Sequence, residues 1–402
     1  MLHTVRAAHE QTHHTEAAQL PRTHMLPLQP LIDQVHAAAA SGSPLRIRGG
    51  GSKDFYGGPL QGEVLDLRPF SGITSYEPSE LVITARAGTP LSELEAALAE
   101  KGQCLPFEPP HYQLGCSNAA SATVGGMVAS GLNGPARATA GSLRDFMLGV
   151  QILNGRAELL TFGGQVMKNV AGYDVSRLMA GSMGTLSVIT EVSLKVLPVP
   201  PAEATLRFHL DEAMALRQLN EWAGQPLPLN ASSWVINAGT PVLYVRLRGA
   251  VAAVDAAILR LLKEVPGERV DSPQTAADWA AARDLRLPWF TEGFARGDDL
   301  WRLSVPQTSA PLNLGDTMID WLGAQRWVWA PAGDLQRAQK LRAAANAAGG
   351  SATLFVSAHA DLRNSNGVFD PLKSPLDTIH RRLKAEFDPA NIFGRNRLFP
   401  AI

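Results

Sequence analysis

The sequence predicts an α+β fold in two domains, and three observations carry that expectation. A chain of 402 residues is longer than one ordinary core organises, at roughly 150 residues per domain. Short apolar alternations that read as strands, and amphipathic stretches that read as helices, occur in both halves. Between the halves lies Leu197-Pro198-Val199-Pro200-Pro201, where proline can continue neither a ladder nor a helix. The expected division is a tail over residues 1–24, a first domain over 25–200 and a second over 201–402.

Taken in order, the tail carries His3, His9, His13, His14 and His24, five of the ten histidines, with little hydrophobic periodicity. His9 and His13 could meet on one helical face, but two ligands make a poor metal site, and the tail is assigned no role. An alanine-rich helix over 31–40 ends in the turn Ser41-Gly42-Ser43-Pro44, and Leu45 to Arg48 follows as a strand. Leu81 to Ala85 is a second strand. Thr89 is expected to cap the next helix, with Pro90 at its first position, Leu91, Leu94 and Leu98 as its stripe and Gly102 as its stop. Leu148 to Ile152 alternates, turns at Asn154-Gly155 and returns over 158–161 as a hairpin, and Leu186 to Val196 is one long strand. The second half alternates strands (205–210, 232–237, 242–247, 301–305, 326–330, 352–356) with helices (212–223, 250–264, 334–348, 376–387). All eight tryptophans fall there, which suits core packing and leaves room for a subunit interface.

Composition narrows the function classes. With 45% hydrophobic and 18% charged residues the chain has ordinary material for a globular core. A net charge of -1 without a Lys/Arg block leaves no footprint for nucleic acid or an anionic membrane. Cys104 and Cys116 are too few for an iron–sulfur cluster or a disulfide framework. No apolar run approaches the ~18 residues of a membrane span, and no signal peptide is visible, so a cytoplasmic location is expected, with any membrane attachment made through other chains.

Three constellations carry chemistry. Arg48-Gly49-Gly50-Gly51-Ser52-Lys53 follows a strand directly, and consecutive glycines let backbone N–H groups converge on an anion such as a pyrophosphate. A flexible linker would share that composition, but the preceding strand and the flanking Arg48 and Lys53 favour a binding loop. It is not a Walker A loop, nor the Rossmann Gly-x-Gly-x-x-Gly, since Asp54 stands where the third glycine belongs. The second is Ser121 to Gly131, where Thr123, Gly125, Gly126 and Ser130 keep side chains small or hydroxylic, as a large flat ligand near the backbone requires. Close packing of a helix on a sheet would read alike. Upstream, the stiff turn Glu108-Pro109-Pro110-His111-Tyr112 could edge the same ligand. The third runs from Lys168-Asn169-Val170-Ala171-Gly172-Tyr173-Asp174 into Gly181-Ser182-Met183-Gly184-Thr185-Leu186 and the long strand, a pattern that suits close approach to a ring system and that a plain turn would also show.

Together, Glu108 to Tyr112, Gly125-Gly126-Met127-Val128-Ala129, Phe162 to Asp174 and Ser176-Arg177-Leu178-Met179 resemble the vanillyl-alcohol-oxidase/p-cresol-methylhydroxylase (PCMH) superfamily, and more closely the FAD-binding (E) subunits of glycolate oxidase. The resemblance is densest over 45–198 and continues loosely to Phe387-Asp388-Pro389-Ala390-Asn391-Ile392-Phe393. It implies a PCMH-type FAD-binding domain of two subdomains, followed by a smaller, ferredoxin-like α+β domain. It further implies FAD with its pyrophosphate on Gly49 to Ser52 and on Thr123 to Ser130, Pro110 and Gly184 nearby, and Val188 and Ile189 against the ring system. Family members that attach flavin covalently use a histidine in the first loop. Here Gly51-Ser52-Lys53 stands in its place, so non-covalent FAD is expected. Two departures are the longer stretch Gln113 to Ala120 and Gly394-Arg395-Asn396-Arg397 in place of Asn-Pro-Gly-Arg.

Oxidising a 2-hydroxy acid needs a base, a cation for the carboxylate and a hydride acceptor, which flavin supplies. Related dehydrogenases carry a His-x-Gly-Asp-Gly-Asn-x-His segment. Ser357 to Asn364 lacks its glycines and second histidine and reads as degenerate, leaving His359, His209 and His380 as conceivable bases and the catalytic group unknown. Since two cysteines cannot hold a cluster, electrons must leave through partners. The resemblance implies a catalytic flavin subunit and an iron–sulfur subunit, converting glycolate to glyoxylate. A self-sufficient FAD dehydrogenase for a lactate-like acid, and a scaffold that binds no flavin, stay open as alternatives.

Overall fold

The computed structural model describes residues 28–114, 121–164, 174–271, 273–359 and 367–400. The calls on attention made by the histidine tail, Gly115 to Ala120, Gln165 to Tyr173 and Ala360 to Asn364 lie outside the described residues. The first unit opens with the helix Gln29–Ser41, which buries Leu31, Ile32, Val35 and Ala38 and ends at Gly42 with φ 66°. Strand β1 (Leu45–Arg48) pairs in parallel with β2 (Glu63–Asp66). Beside this pair stands a five-stranded antiparallel sheet made of β3 (Ile73–Glu77), β4 (Val82–Arg86), β6 (Met147–Leu153), β7 (Leu159–Gly163) and β8 (Val188–Lys195), in the order β3-β4-β8-β6-β7. A short pair, β5 (Gln103–Cys104) with β9 (Leu197–Pro198), closes one end.

Local differences from expectation have physical causes. Thr89 does not cap the following helix: its Oγ1 accepts from Gly72 N and donates to Gly72 O, and Pro90 occupies the cap before Leu91–Ala99. The hairpin between β6 and β7 is not a two-residue Asn-Gly turn. Asn154 Oδ1 accepts from the N–H groups of Arg156 and Glu158, and Ala157 takes φ 60°, giving a longer loop. The proline cluster does not interrupt all pairing, because Leu197–Pro198 still forms β9.

The second unit is built on one eight-stranded sheet. Its strands are β10 (Ala202–Phe208), β11 (Leu229–Asn237), β12 (Thr240–Gly249), β13 (Gly267–Arg269), β14 (Asp299–Ser304), β15 (Thr317–Asp320), β16 (Gln325–Ala330) and β17 (Ser351–Val356). Every pairing is antiparallel, in the order β13-β10-β12-β11-β15-β16-β14-β17. Each half of that order reads outward-in as fourth, first, third and second strand of its own quartet, which is the ferredoxin-like arrangement, and the two second strands β11 and β15 join the halves edge to edge. One face is covered by the helices Glu212–Ala223 and Val251–Glu264 over Phe208, Trp222 and Leu247, and by Leu335–Ala347 over Trp301, Val328 and Leu354. The other face meets the first unit in an apolar cluster that joins Tyr56, Tyr112 and Leu132 to Leu300, Met318, Trp327 and Phe355. Seven of the eight tryptophans are buried, the exception being half-buried Trp289, so core packing accounts for most of them.

The final helix, Leu376–Phe387, and the segment after it return to the first unit. Leu45 N donates to Ile392 O at 2.7 Å, and Ile392 and Phe393 are fully buried in the core of that unit.

Candidate functional site: a glycine-lined cleft in the first unit

The two glycine loops meet. The chain leaves β1 at Arg48 and passes along Ser121 to Thr123, where the helix Val124–Ser130 begins with Thr123 Oγ1 accepting from Gly126 N. That second segment is held to the 87–91 turn through Val124 N to Thr89 O at 2.9 Å, Gly125 N to Ala87 O at 2.8 Å and Leu91 N to Ala122 O at 2.8 Å. The contact leaves no space for side chains. A Cβ on Gly49 would lie 2.2 Å from Thr123 Oγ1, one on Gly50 would lie 1.7 Å from Ser121 O, and one on Gly125 would lie 2.6 Å from Ala87 Cβ. Gly126 differs, since its Cβ would meet only Thr123 Oγ1 at 3.1 Å, so its outer side faces open space.

That space is a cavity of about 70 Å³, and Gly49, Thr123, Gly125, Gly126, Gly184 and Ile189 all line it. Sequence reasoning missed its other walls: Ile47, Leu67, Ala129, Met183 and Ser187. Ser187 was within reach of strand alternation, being two positions before Ile189 on the segment leading into β8. Leu67 was not, because only the parallel pairing of β1 with β2 brings it beside the loop. A neighbouring cavity of about 30 Å³ shares Ile47, Met183 and Gly184 and adds Arg46, Arg395 and Arg397.

The remaining expected residues sit around the cleft rather than in its wall. Arg48 ion-pairs with Asp54 at 3.2 Å, and Arg46 reaches the same carboxylate more closely, so Asp54 binds the two arginines of β1 to the far end of the loop. Gly51 takes φ 79° directly against the Arg48 guanidinium, where a Cβ would lie 2.5 Å from Nη2. Ser52 is buried, and Lys53 Nζ donates to its Oγ at 3.4 Å. Ser130 Oγ donates to Met127 O within its own helix, and Val188 is buried in β8. Pro110 is buried but lies outside the cavity wall, because its turn does other work. Glu108 accepts from Arg246 Nη2 at 2.6 and 2.7 Å, and His111 N donates to Asp284 Oδ1 at 2.8 Å, both across to the second unit. The three histidines considered as bases are remote from the cleft: His359 and His209 are exposed, and the His380 ring packs on Phe399 at 5.4 Å. Among the described residues no group of three or more His, Cys, Asp or Glu could hold a metal ion.

The donor set fits a phosphate-linked flavin. Glycine backbone from two loops forms one side of the cleft, aliphatic side chains of Ile47, Leu67 and Ile189 form another, and no acidic side chain lines it. The third side, Met183, also packs into the aromatic cluster between the units, so the cleft opens toward the face of the second sheet.

Comparison with known proteins agrees with this geometry. Residues 29–163 match the FAD binding domain family. In overall fold the chain is similar to an alkyldihydroxyacetonephosphate synthase, with a TM-score of 0.63 at 15% identity over 90% of this chain and 73% of that one. The class is therefore the PCMH-type FAD-linked oxidases, an α+β fold with an FAD-binding domain. Within it the chain is 43% identical to glycolate oxidase subunit GlcE of Escherichia coli (strain K12), over 92% of this chain and 97% of that protein. The chain belongs to the family of that subunit. More distant relatives are glycolate oxidase subunit GlcD of Bacillus subtilis (strain 168), 30% identical over 40% of this chain and 34% of that one, and a D-2-hydroxyglutarate dehydrogenase of Xanthomonas citri pv. viticola, 26% identical over 66% and 56%.

Proposed function

We propose that this chain is the FAD-carrying subunit of an assembly that oxidises glycolate to glyoxylate, with FAD held non-covalently along Gly49 to Ser52 and Thr123 to Ser130. The observation that carries the reading is the match to a glycolate oxidase subunit over nearly the full length of both chains, in a molecule whose glycine loops converge on one cleft. When bound, FAD supplies a two-electron acceptor. The chain's own part is to hold it: glycine backbone at the phosphates, Met183, Gly184 and Ile189 along the wall beyond them.

A sequence with two cysteines has no cluster to receive electrons, which supports onward transfer to a catalytic flavin subunit and an iron–sulfur subunit. No helix among the described residues is long and apolar enough to cross a membrane, which supports a cytoplasmic assembly whose contact with the inner membrane is peripheral.

The purified chain is expected to be yellow with an oxidised-flavin spectrum, and acid precipitation should release intact FAD into the supernatant. Flavin retained in the pellet would refute non-covalent binding, and a colourless chain would favour the scaffold alternative. In an anaerobic half-reaction, glycolate should bleach the flavin fast only with the partner subunits present. Rapid bleaching of the isolated chain would favour the self-sufficient dehydrogenase. Gly50→Ala is expected to lose most of its flavin, because the new Cβ would lie 1.7 Å from Ser121 O and push the loops apart. Stoichiometric FAD in that variant would refute the loop assignment.

A further inference from the structure

The face of the second sheet that meets the first unit carries an unusual polar island. Cross-strand register places Met318, Trp327 and Arg302 in one row and Ser233, Asp320, Gln325 and Ser304 in the next. The first unit comes down on these rows with Tyr56, whose hydroxyl accepts from Arg302 Nη2 at 3.1 Å, and with Arg137, whose guanidinium lies 4.7 Å over the ring of Trp321. Arg302 itself lies 5.0 Å over the Phe355 ring and 5.7 Å over that of Tyr56.

Two features of the island are unsatisfied. Arg137 and Arg302 are both half-buried at the junction, and neither pairs with any described carboxylate. They also feel one another: burial first, and then the Arg302 cation, hold Arg137 below the ordinary guanidinium range. Two like charges drawn together in a partly dry interface destabilise it unless an anion joins them. The second feature is Gln325, which is 4% exposed and whose Oε1 has no hydrogen-bond partner. Its amide donates to Asp320, whose oxygens are further taken up by Trp327 Nε1 and Ser233, so a lone acceptor is left over beside the two cations. A ligand that brings a carboxylate and a hydroxyl donor would satisfy both.

We propose that Arg137 and Arg302 form a site on this chain for a small hydroxy carboxylate, the carboxylate lying between the two guanidiniums and the hydroxyl donating to Gln325 Oε1. This rests on the reading of the chain as part of a hydroxy-acid-oxidising assembly and adds where such an acid is held. The site belongs to neither unit alone, since Arg137 comes from the first and Arg302 from the second.

The test is a titration of the flavin-loaded chain with glycolate, followed by calorimetry and by tryptophan fluorescence, since Trp321 and Trp327 adjoin the site. Saturable binding at one site per chain is expected. Arg137→Gln and Arg302→Gln should each weaken it at least about tenfold, and Arg302→Lys less so. Gln325→Leu should weaken glycolate while leaving acetate, which lacks the hydroxyl, unchanged. Arg217→Gln, an exposed arginine on the helix Glu212–Ala223, should bind as the parent does. Absence of saturable glycolate binding to the parent chain overturns the proposal without reference to any variant. So does binding unaffected by both arginine substitutions, or displacement of glycolate by chloride or phosphate at equal ionic strength, which would mark a general anion site. A chain with full flavin that binds no glycolate defeats this inference alone, whereas a chain without flavin defeats the FAD reading.

Discussion

Glu108 holds φ 49°, a left-handed conformation uncommon for a residue with a side chain, and its contacts explain why it is kept there. From that position its carboxylate accepts from Ala136 N at 3.1 Å and from Arg246, whose side chain is 5% exposed, with Arg248 at 3.4 Å beyond. Arg246 in turn donates to Asn230 Oδ1 and lies 4.9 Å over the Trp279 ring. The pair thus joins the first unit to β12. Glu108→Ala leaves a buried guanidinium uncompensated and is expected to cost about 3–5 kcal/mol in urea unfolding. A loss below about 1 kcal/mol would show that the pair is no more than a surface bridge in effect. The motif containing Glu108 was legible in the sequence as something stiff and specific. Its role at the junction was not, because Arg246 is 138 positions away.

At the scale of elements, the helix Leu376–Phe387 reaches back into the first unit through Lys384. Its Nζ is buried and donates to Thr185 O at 2.7 Å, Phe393 O at 2.7 Å and Asp388 Oδ2 at 2.6 Å, while Asp388 also accepts from Ile392 N and Phe393 N. Thr185 follows Gly184 in the cleft wall, so this helix braces the loop along the expected flavin site. Lys384→Met should release the segment 391–397, seen as faster amide exchange there, and should raise the FAD dissociation rate several-fold. Unchanged exchange over 391–397 would rule out the brace. Long amphipathic elements were the easiest to read: the helices at 212–223 and 376–387 agree with expectation to the residue. Those missed were β13, β15 and the helices Thr275–Arg283 and Pro288–Arg296. The two strands have three and four residues, too short for an alternation to declare itself, and Pro288–Arg296 carries aromatic residues on more than one face.

At the scale of the whole molecule, the seam between the two sheet halves contains Asp320, pushed up to about 6 mainly by burial, against the lowering effect of its donors Trp327, Ser233 and Gln325. A carboxyl raised above its unfolded value stabilises the folded chain fully below pH ~4, and that contribution is lost as pH rises through about 6. The neighbouring Asp284 is shifted the other way, and its contribution falls away only in more acidic solution. Asp320→Asn should therefore remove a decline in stability between about pH 4.5 and 7.5 of order 2 kcal/mol, read from urea midpoints of both chains across that range. Parallel pH profiles would contradict a raised carboxyl at the seam.

The sequence by itself determined the α+β class, the strand that delivers the first glycine loop, and the residue types that allow two backbones to approach a phosphate. Those are local properties: helical and strand periodicity, and the absence of side chains at Gly49, Gly50 and Gly126. Only the tertiary structure decided that the loops touch at Ser121 and Thr123, that the chain's last helix braces their far wall, and that Arg137 and Arg302 come together without a counterion. Each of these depends on contacts between positions far apart in the chain, through a sheet register and an interface that periodicity does not encode.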